Sequence, residues 1–97
     1  MEAPVTTYLA LVHTDRPGNY GVSFPDVPGC IAAGDSLEGA IENASEALDF
    51  HIEGLAEDGD PLPRPRTIHE LRDDAEFKTL VGDAIVVPVA LRAAVAA

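Results

Sequence analysis

The chain has 97 residues, and 17 acidic residues against six basic ones give it a formal net charge of −11. This length supports one domain with one modest hydrophobic core, and we assign residues 1–97 to it. The negative charge argues against direct binding to nucleic acid or to an anionic membrane, because both repel an acidic surface, and it favours a cationic protein as the partner.

Three short β-strands are predicted in the first third of the chain. Val5 to His13 is a β-rich run with two largely apolar faces, which is typical of a central strand covered at least partly on each side. Tyr20 to Pro25 alternates apolar and small residues, and Cys30 to Ala33 is a third, shorter strand. Asp15 to Asn19 and Pro25 to Gly29 are dense in turn-forming residues, so the three strands should form an antiparallel meander.

A long amphipathic helix is predicted from Ser36 to Asp58. Asp35 or Ser36 can cap its first turn, and Gly59 is a stop signal just after its end. Apolar residues recur at spacings of three and four along the segment, as the face of a helix on a core requires. These residues are Leu37, Ile41, Ala44, Leu48, Ile52 and Leu55.

The opposite face of this helix carries a row of carboxylates. No Lys or Arg lies between Pro17 and Pro63 to offset their repulsion, which amounts to a few tenths of a kcal/mol, roughly, for each pair four residues apart. Two interpretations fit the row: a solvated face that aids solubility, or a surface presented to a basic partner. The row consists of Glu38, Glu42, Glu46, Asp49, Glu53 and Glu57, of which the first five are the candidate partner-binding residues.

The last third of the chain mixes irregular, helical and extended segments. Asp60 to Pro65 is too rich in proline for a helix or a central strand. Thr67 to Asp74 can cap and form a short second helix, which Phe77 to Val81 either continues or follows as an irregular apolar segment. Ala84 to Leu91 is the last strand, and Pro88, which has no backbone N–H, indicates an edge strand or a bulge.

This order of elements predicts an α+β fold of the β-β-β-α-β type, in which one main helix crosses an antiparallel meander and a fourth strand lies at the sheet edge beside the first. A right-handed crossover would make the fourth strand parallel to the first. One helix cannot cover both faces of such a sheet, so we expect association into a homodimer or tetramer. The predicted oligomer-interface residues are Ile85, Val87, Val89 and Leu91, with the apolar tail from Ala93 to Ala97 adding to them.

Two motifs at a fixed distance resemble those of one protein family. Tyr20 to Cys30 reads YGVSFPDVPGC, and Gly34 to Glu38 reads GDSLE. A helix with small residues at Ala40, Ala44 and Ala47 follows, and the helix exit reads GDPLP. Over roughly residues 5–68 the sequence is similar to the HicB-like antitoxins of bacterial type II toxin–antitoxin pairs.

The resemblance implies a degenerate ribonuclease H-like domain that binds and neutralises a HicA toxin. Toxins of this type are small basic proteins with a double-stranded-RNA-binding-like fold, and they cut messenger RNA with a histidine. The acidic helix agrees independently with a partner whose surface holds RNA phosphates. Many family members carry a C-terminal DNA-binding domain, whereas this sequence reaches Ala97 directly after the last strand, so we expect no operator binding by this polypeptide alone.

No catalytic, metal or cofactor site is predicted. A two-metal nuclease needs several carboxylates around ions about 4 Å apart, whereas the helix carboxylates lie about 6 Å apart or more and the first strand contains none. His13, His51 and His69 lack metal-ligand spacing, and Cys30 after a Pro-Gly turn is typical of a small buried apolar residue.

The sequence also predicts where the protein works and how. One cysteine excludes an internal disulfide, and neither a membrane-spanning run nor a signal peptide is recognisable, which together predict a cytoplasmic protein. We therefore predict a non-enzymatic, antitoxin-type binding module. The alternative is a stand-alone oligomeric domain with an unknown ligand and no toxin partner.

Overall fold

A computed structural model describes residues 6–92 of the chain. The elements are β1 (Thr7–Arg16), β2 (Asn19–Ser23), β3 (Ile31–Gly34), α1 (Leu37–Glu57), α2 (Ile68–Arg72), α3 (Ala75–Val81) and β4 (Ile85–Ala90). The predicted strands and the main helix are confirmed, as is the short second helix. The segment after it is neither irregular nor a continuation, because Asp74 caps α3 as a separate helix.

The four strands form one sheet in the order β3-β2-β1-β4, and every neighbouring pair is antiparallel. The predicted α+β class, the meander and the edge position of the fourth strand are therefore confirmed. Pro88 lies in β4 opposite Leu9 of β1. An edge position tolerates proline there, because only one side of an edge strand needs its hydrogen-bond donors.

The expectation that the fourth strand runs parallel to the first is wrong. The Tyr8 hydroxyl, near the start of β1, donates a hydrogen bond to the Pro63 carbonyl, which places the proline-rich segment at that end of the sheet. β4 then begins opposite Val12, at the other end of the strand pair, with Ile85. The segment containing α2 and α3 thus carries the chain back along the sheet, and β4 returns antiparallel to β1.

Helix α1 covers one face of the sheet and forms the main core with it. Ala40, Ala44, Leu48 and Ile52 of α1 are fully buried. Their spacing of four places them on one side of the helix. The sheet contributes Tyr8, Ala10, Val12, Val22 and Val89, and the β2–β3 connection adds Phe24, Val27 and Cys30.

The short helices cover part of the second face, around Leu11. Leu71 of α2 and Phe77 of α3 are buried against this β1 side chain, with Leu9 and Val86 partly buried beside them. α1 alone thus does not cover both faces, as expected, and α2 and α3 rather than a second copy of the chain cover this part of the second face. Apolar periodicity does not reveal this layer, because helices of five and seven residues carry too few apolar positions to show a period.

Gly34 is required because the start of α1 passes directly over the end of β3. A Cβ atom at this position would lie 2.5 Å from the Ala40 nitrogen and 2.8 Å from its Cα. We expect Gly34→Ala to lower the free energy of unfolding by about 2 kcal/mol, because backbone rather than a flexible side chain would have to move. Urea denaturation measures this, with Gly21→Ala as the matched control, since a Cβ there meets nothing within 4 Å. Equal midpoints for the two variants would contradict the close approach.

The Glu70 side chain helps to cap the start of α2. Its carboxylate accepts hydrogen bonds from the Arg64 guanidinium and the Thr67 backbone N–H, and these lower its pKa from 4.5 to about 2. A lowered folded-state pKa gives stability that is present above the unfolded pKa and lost as the pH falls through the folded one. We therefore expect the free energy of unfolding at pH 7 to be higher for wild type than for Glu70→Gln. This difference should disappear as the pH falls from about 4.5 to about 2. Chemical denaturation across this range measures the difference, and a difference independent of pH would contradict the cap.

Candidate protein-binding surface

Helix α1 is a well-terminated element that can display side chains rigidly. The Ser36 hydroxyl accepts a hydrogen bond from the Gly39 backbone N–H at 3.0 Å, so Ser36, rather than Asp35, is the cap. At the other end Gly59 adopts a φ of +73°, the left-handed conformation that commonly ends a helix. The 21 residues between these ends bury one face in the core and leave the opposite face in solvent.

Five of the six carboxylates predicted to share a face are exposed on it. We call Glu38, Glu42, Glu46, Glu53 and Glu57 the acidic face of α1. Among residues 6–92, every ion pair in the structure joins other groups, so these five carboxylates have no cationic partner there. Four of them are among the predicted partner-binding residues.

The fifth predicted residue, Asp49, has a different environment. Its side chain is 17% exposed, and it accepts hydrogen bonds from the Arg92 backbone N–H at 2.8 Å and from Arg92 Nε at 3.2 Å. Asp49 thus ties α1 to the end of β4. The sequence shows no basic residue near Asp49 along the chain, and only the fold brings Arg92 to it, 43 positions away.

The electrostatic consequence is a negative surface along about 30 Å of helix. Arg64 and Arg66 pair with carboxylates outside α1, and Arg92 pairs with Asp49, so no ion pair among residues 6–92 involves the five carboxylates of the acidic face of α1. Such a field attracts cationic proteins, accelerates their association and repels polyanions. The face can therefore bind positive charge, but the row of side chains has no convergent geometry for acid–base chemistry.

One exposed side chain beside the acidic face was missed from the sequence. Phe50 is 80% exposed, although it is an aromatic residue in a helix that otherwise buries its large apolar side chains. It lies four residues after Glu46 and three before Glu53, so it projects on the flank of the carboxylate row. This spacing is visible in the sequence, and it is the signal that could have placed Phe50 beside the carboxylate row. A shallow groove beside the ring is lined by Phe50, His51, Gly54, Leu55 and Asp58.

The predicted oligomer-interface residues do not form one exposed patch. Val87, Val89 and Leu91 all pack towards the core under α1, and Val89 is only 4% exposed. Ile85, at 49% exposed, is the member of the set that offers side-chain surface. Self-association through β4 would thus depend more on the unpaired backbone groups along its outer edge than on these side chains. The apolar tail from Ala93 to Ala97 lies outside the described residues.

The cysteine and the three histidines lie in different environments. Cys30 is buried, as predicted, and burial raises the pKa of its thiol. His13 and His69 are exposed, while His51 lies half-buried near Gly29. Within residues 6–92, no three His, Cys, Asp or Glu side chains gather in a group that could hold a metal ion, and no helix is long and apolar enough to cross a membrane.

Comparisons with known proteins identify relatives in sequence and in fold. A family model described as "HicB_like antitoxin of bacterial toxin-antitoxin system" matches residues 8–95. An uncharacterised 14.9 kDa protein of Haemophilus phage HP1 is 48% identical over 62 residues, which are 64% of this chain and 47% of the phage protein. The match therefore spans less than half of that relative.

Solved structures are similar over most of the described residues. The antitoxin HicB of Burkholderia pseudomallei has a TM-score of 0.72 and 32% identity, over 87% of this chain and 61% of that one. A HicA3–HicB3 toxin–antitoxin complex has a TM-score of 0.67 and 34% identity, over 87% of this chain and 95% of the matched chain.

Proposed function

The chain belongs to the HicB-like antitoxins of bacterial toxin–antitoxin systems, and we propose that it neutralises a small, basic, HicA-like toxin that cleaves messenger RNA. It does so as a binding module, by covering the toxin surface that holds RNA. No catalytic step by the antitoxin is required, because a toxin that cannot hold its substrate cannot cut it.

The acidic face of α1 is the observation that carries this proposal. Its carboxylates recur about every 6 Å along the helix, so they present a line of negative charge, as the backbone of a nucleic acid strand does. A protein built to hold RNA phosphates exposes Lys and Arg side chains, which can pair with Glu42, Glu46 and Glu53. Antitoxin and RNA would then compete for the same cationic surface.

The comparisons support the class of partner. A similar structure is a complex of HicA3 with HicB3, and a HicA-like toxin is accordingly the partner that we assign to this chain. The assignment of the contact to Glu38, Glu42, Glu46 and Glu53 rests on their exposure and on the absence of counter-charges among residues 6–92. Asp49 contributes by fixing α1 to β4.

Residues 1–97 act in this proposal as one domain that forms a homodimer or tetramer in the cytoplasm, where messenger RNA is available to the toxin. The open edges of β3 and β4 and the exposed Ile31 and Ile85 support self-association. Sedimentation at tens of micromolar tests it. A monomer under these conditions would contradict the oligomer but not the antitoxin function.

A ribonuclease titration tests the proposed function. The candidate toxin is defined as a small basic protein whose gene lies next to the gene of this chain. It is purified, and its cleavage of RNA is followed as the chain is added. We expect cleavage to stop at a fixed stoichiometric ratio, and a large excess of RNA to reduce the inhibition, since antitoxin and RNA compete for the same cationic surface. Cleavage unaffected by a large excess of the chain would contradict the proposal and favour the stand-alone oligomeric domain.

A further inference from the structure

Phe50 and Gly54 form a feature of α1 that the chain's own packing does not explain. Phe50 is 80% exposed, the highest value among the large hydrophobic residues of the described chain. A single exposed apolar residue is ordinary on a protein surface. Phe50 is significant here because Gly54 follows it by one helical turn.

Gly54 lies in the interior of α1, where glycine is unfavourable because it loses the most backbone freedom on folding. Gly34 is needed for close approach of β3 and α1, but a Cβ atom added at Gly54 would meet nothing within 4 Å. Neither a positive φ nor a close contact within the described chain therefore requires glycine at this position. The missing side chain instead leaves a groove beside Phe50, which His51, Leu55 and Asp58 also line.

The charges around this groove indicate what would occupy it. Glu46 and Glu53 lie four and three residues from Phe50, so both flank the ring, and Asp58 lines the groove itself. A second copy of this chain would bring its own formal charge of −11 against these carboxylates and is disfavoured. A cationic segment is favoured, and arginine suits it best, since a guanidinium both stacks on an aromatic ring and pairs with carboxylates.

We propose that the groove beside Phe50 and Gly54 receives an arginine-bearing segment of a cationic protein partner. These two residues are then the anchor of the interface. The guanidinium stacks on the Phe50 ring and pairs with Glu46 or Glu53, while the backbone of the segment passes over Gly54. The inference rests on the proposed function and adds to it a specific, partly apolar contact. Interfaces commonly concentrate their affinity in such aromatic and arginine contacts, surrounded by weaker polar ones.

Two substitutions test the anchor, and the measurement is the affinity of each variant for the candidate toxin, the small basic protein defined above. We expect Phe50→Ala to weaken binding at least about 10-fold, because it removes the stacking surface. Gly54→Ala should weaken binding about 3-fold or more while raising Tm by about 4 °C, since alanine stabilises the helix but narrows the groove. The matched control is Leu80→Ala, which removes a side chain that is 50% exposed on α3, and its affinity should stay within about 2-fold of wild type.

Peptides provide a readout that does not depend on the identity of the toxin. An arginine-rich peptide of about 12 residues should bind wild type more tightly than its lysine counterpart, and Phe50→Ala should remove this preference. Equal binding of the two peptides to wild type, or unchanged toxin affinity in both Phe50→Ala and Gly54→Ala, would overturn the inference while the proposed function stands. Failure of the wild-type chain to bind the basic protein, with the arginine preference intact, would overturn the proposed function instead.

Discussion

Glu42→Lys, Glu46→Lys and Glu53→Lys in one chain are expected to weaken binding to the basic toxin by about 100-fold or more. Each reversal removes an attraction and adds a repulsion at the same site, and all three positions are exposed on one face without a cationic partner among residues 6–92. The fold should tolerate the changes, because the side chains contact solvent and lysine is as good a helix former as glutamate.

Salt dependence separates a specific role of the face from an effect of net charge. Binding is measured by calorimetry or by association kinetics between about 50 and about 300 mM salt, where wild type should weaken steeply and the triple variant only slightly. The control variant carries Asp60→Lys, Asp73→Lys and Asp83→Lys, three exposed positions outside α1. Both variants change the formal charge from −11 to −5, since each reversal adds two units.

Two results would contradict this account of the acidic face. If both triple variants lose affinity equally, long-range charge alone attracts the toxin and α1 is not the contact. If the α1 variant keeps wild-type affinity and salt dependence, the toxin binds another surface of the antitoxin. The family membership would be unaffected by either outcome.

Arg66→Ala is expected to lower the free energy of unfolding by about 3 kcal/mol. Arg66 lies 40 residues from Asp26 in sequence, yet its Nε donates to Asp26 Oδ1 at 2.6 Å and its Nη1 donates to Asp74 Oδ2 at 2.7 Å. The Asp26 side chain is only 5% exposed, so removing the guanidinium leaves a buried carboxylate without its counter-charge. We take the low end of the range for broken buried pairs, because the Arg66 backbone N–H still donates to Asp26 in the variant.

The control for this prediction is the neighbouring ion pair of Arg64. Arg64 pairs with Glu70 at 2.9 Å, but the two side chains are 69% and 41% exposed. Arg64→Ala should therefore shift the urea midpoint much less than Arg66→Ala, because solvent screens exposed pairs. Similar shifts for the two variants would show that Arg66 is not a specific tie between the β2–β3 turn and the segment that carries α2 and α3.

The strands and the main helix were predictable because each has its own local signal. β1 is recognisable by its β-branched and apolar run, and α1 by a period that continues for 21 residues and ends at a glycine. The turns at Pro17-Gly18 and Pro28-Gly29 separate the strands, and both glycines adopt positive φ values, as tight turns require.

The direction of β4 and the second layer were not predictable from the same signals. They depend on contacts between residues that are far apart in sequence, such as Tyr8 with Pro63 and Arg66 with Asp26. Neither contact produces a periodic pattern in the sequence. The short helices α2 and α3 then reverse the direction of the chain, which changes a predicted parallel pair into an antiparallel one.

The candidate surface was predictable in its charge but not in its detail. A spacing of three and four residues places the glutamates on one face of any helix. Burial depends on the fold, however, and only the fold shows that Asp49 is tied to Arg92 and that Val89 lies in the core. The exposure of Phe50 likewise follows from how α1 sits on the sheet, which the amphipathic pattern alone does not determine.

Growth of cells that express the neighbouring small basic protein tests the central claim most directly. The protein is induced alone, with the wild-type chain, or with the variant that carries lysine at positions 42, 46 and 53, and the complexes are purified from the same cultures. We predict arrest with the basic protein alone, normal growth and co-purification with the wild-type chain, and arrest again with the variant. A harmless basic protein, or arrest that the wild-type chain does not relieve, would contradict the antitoxin function.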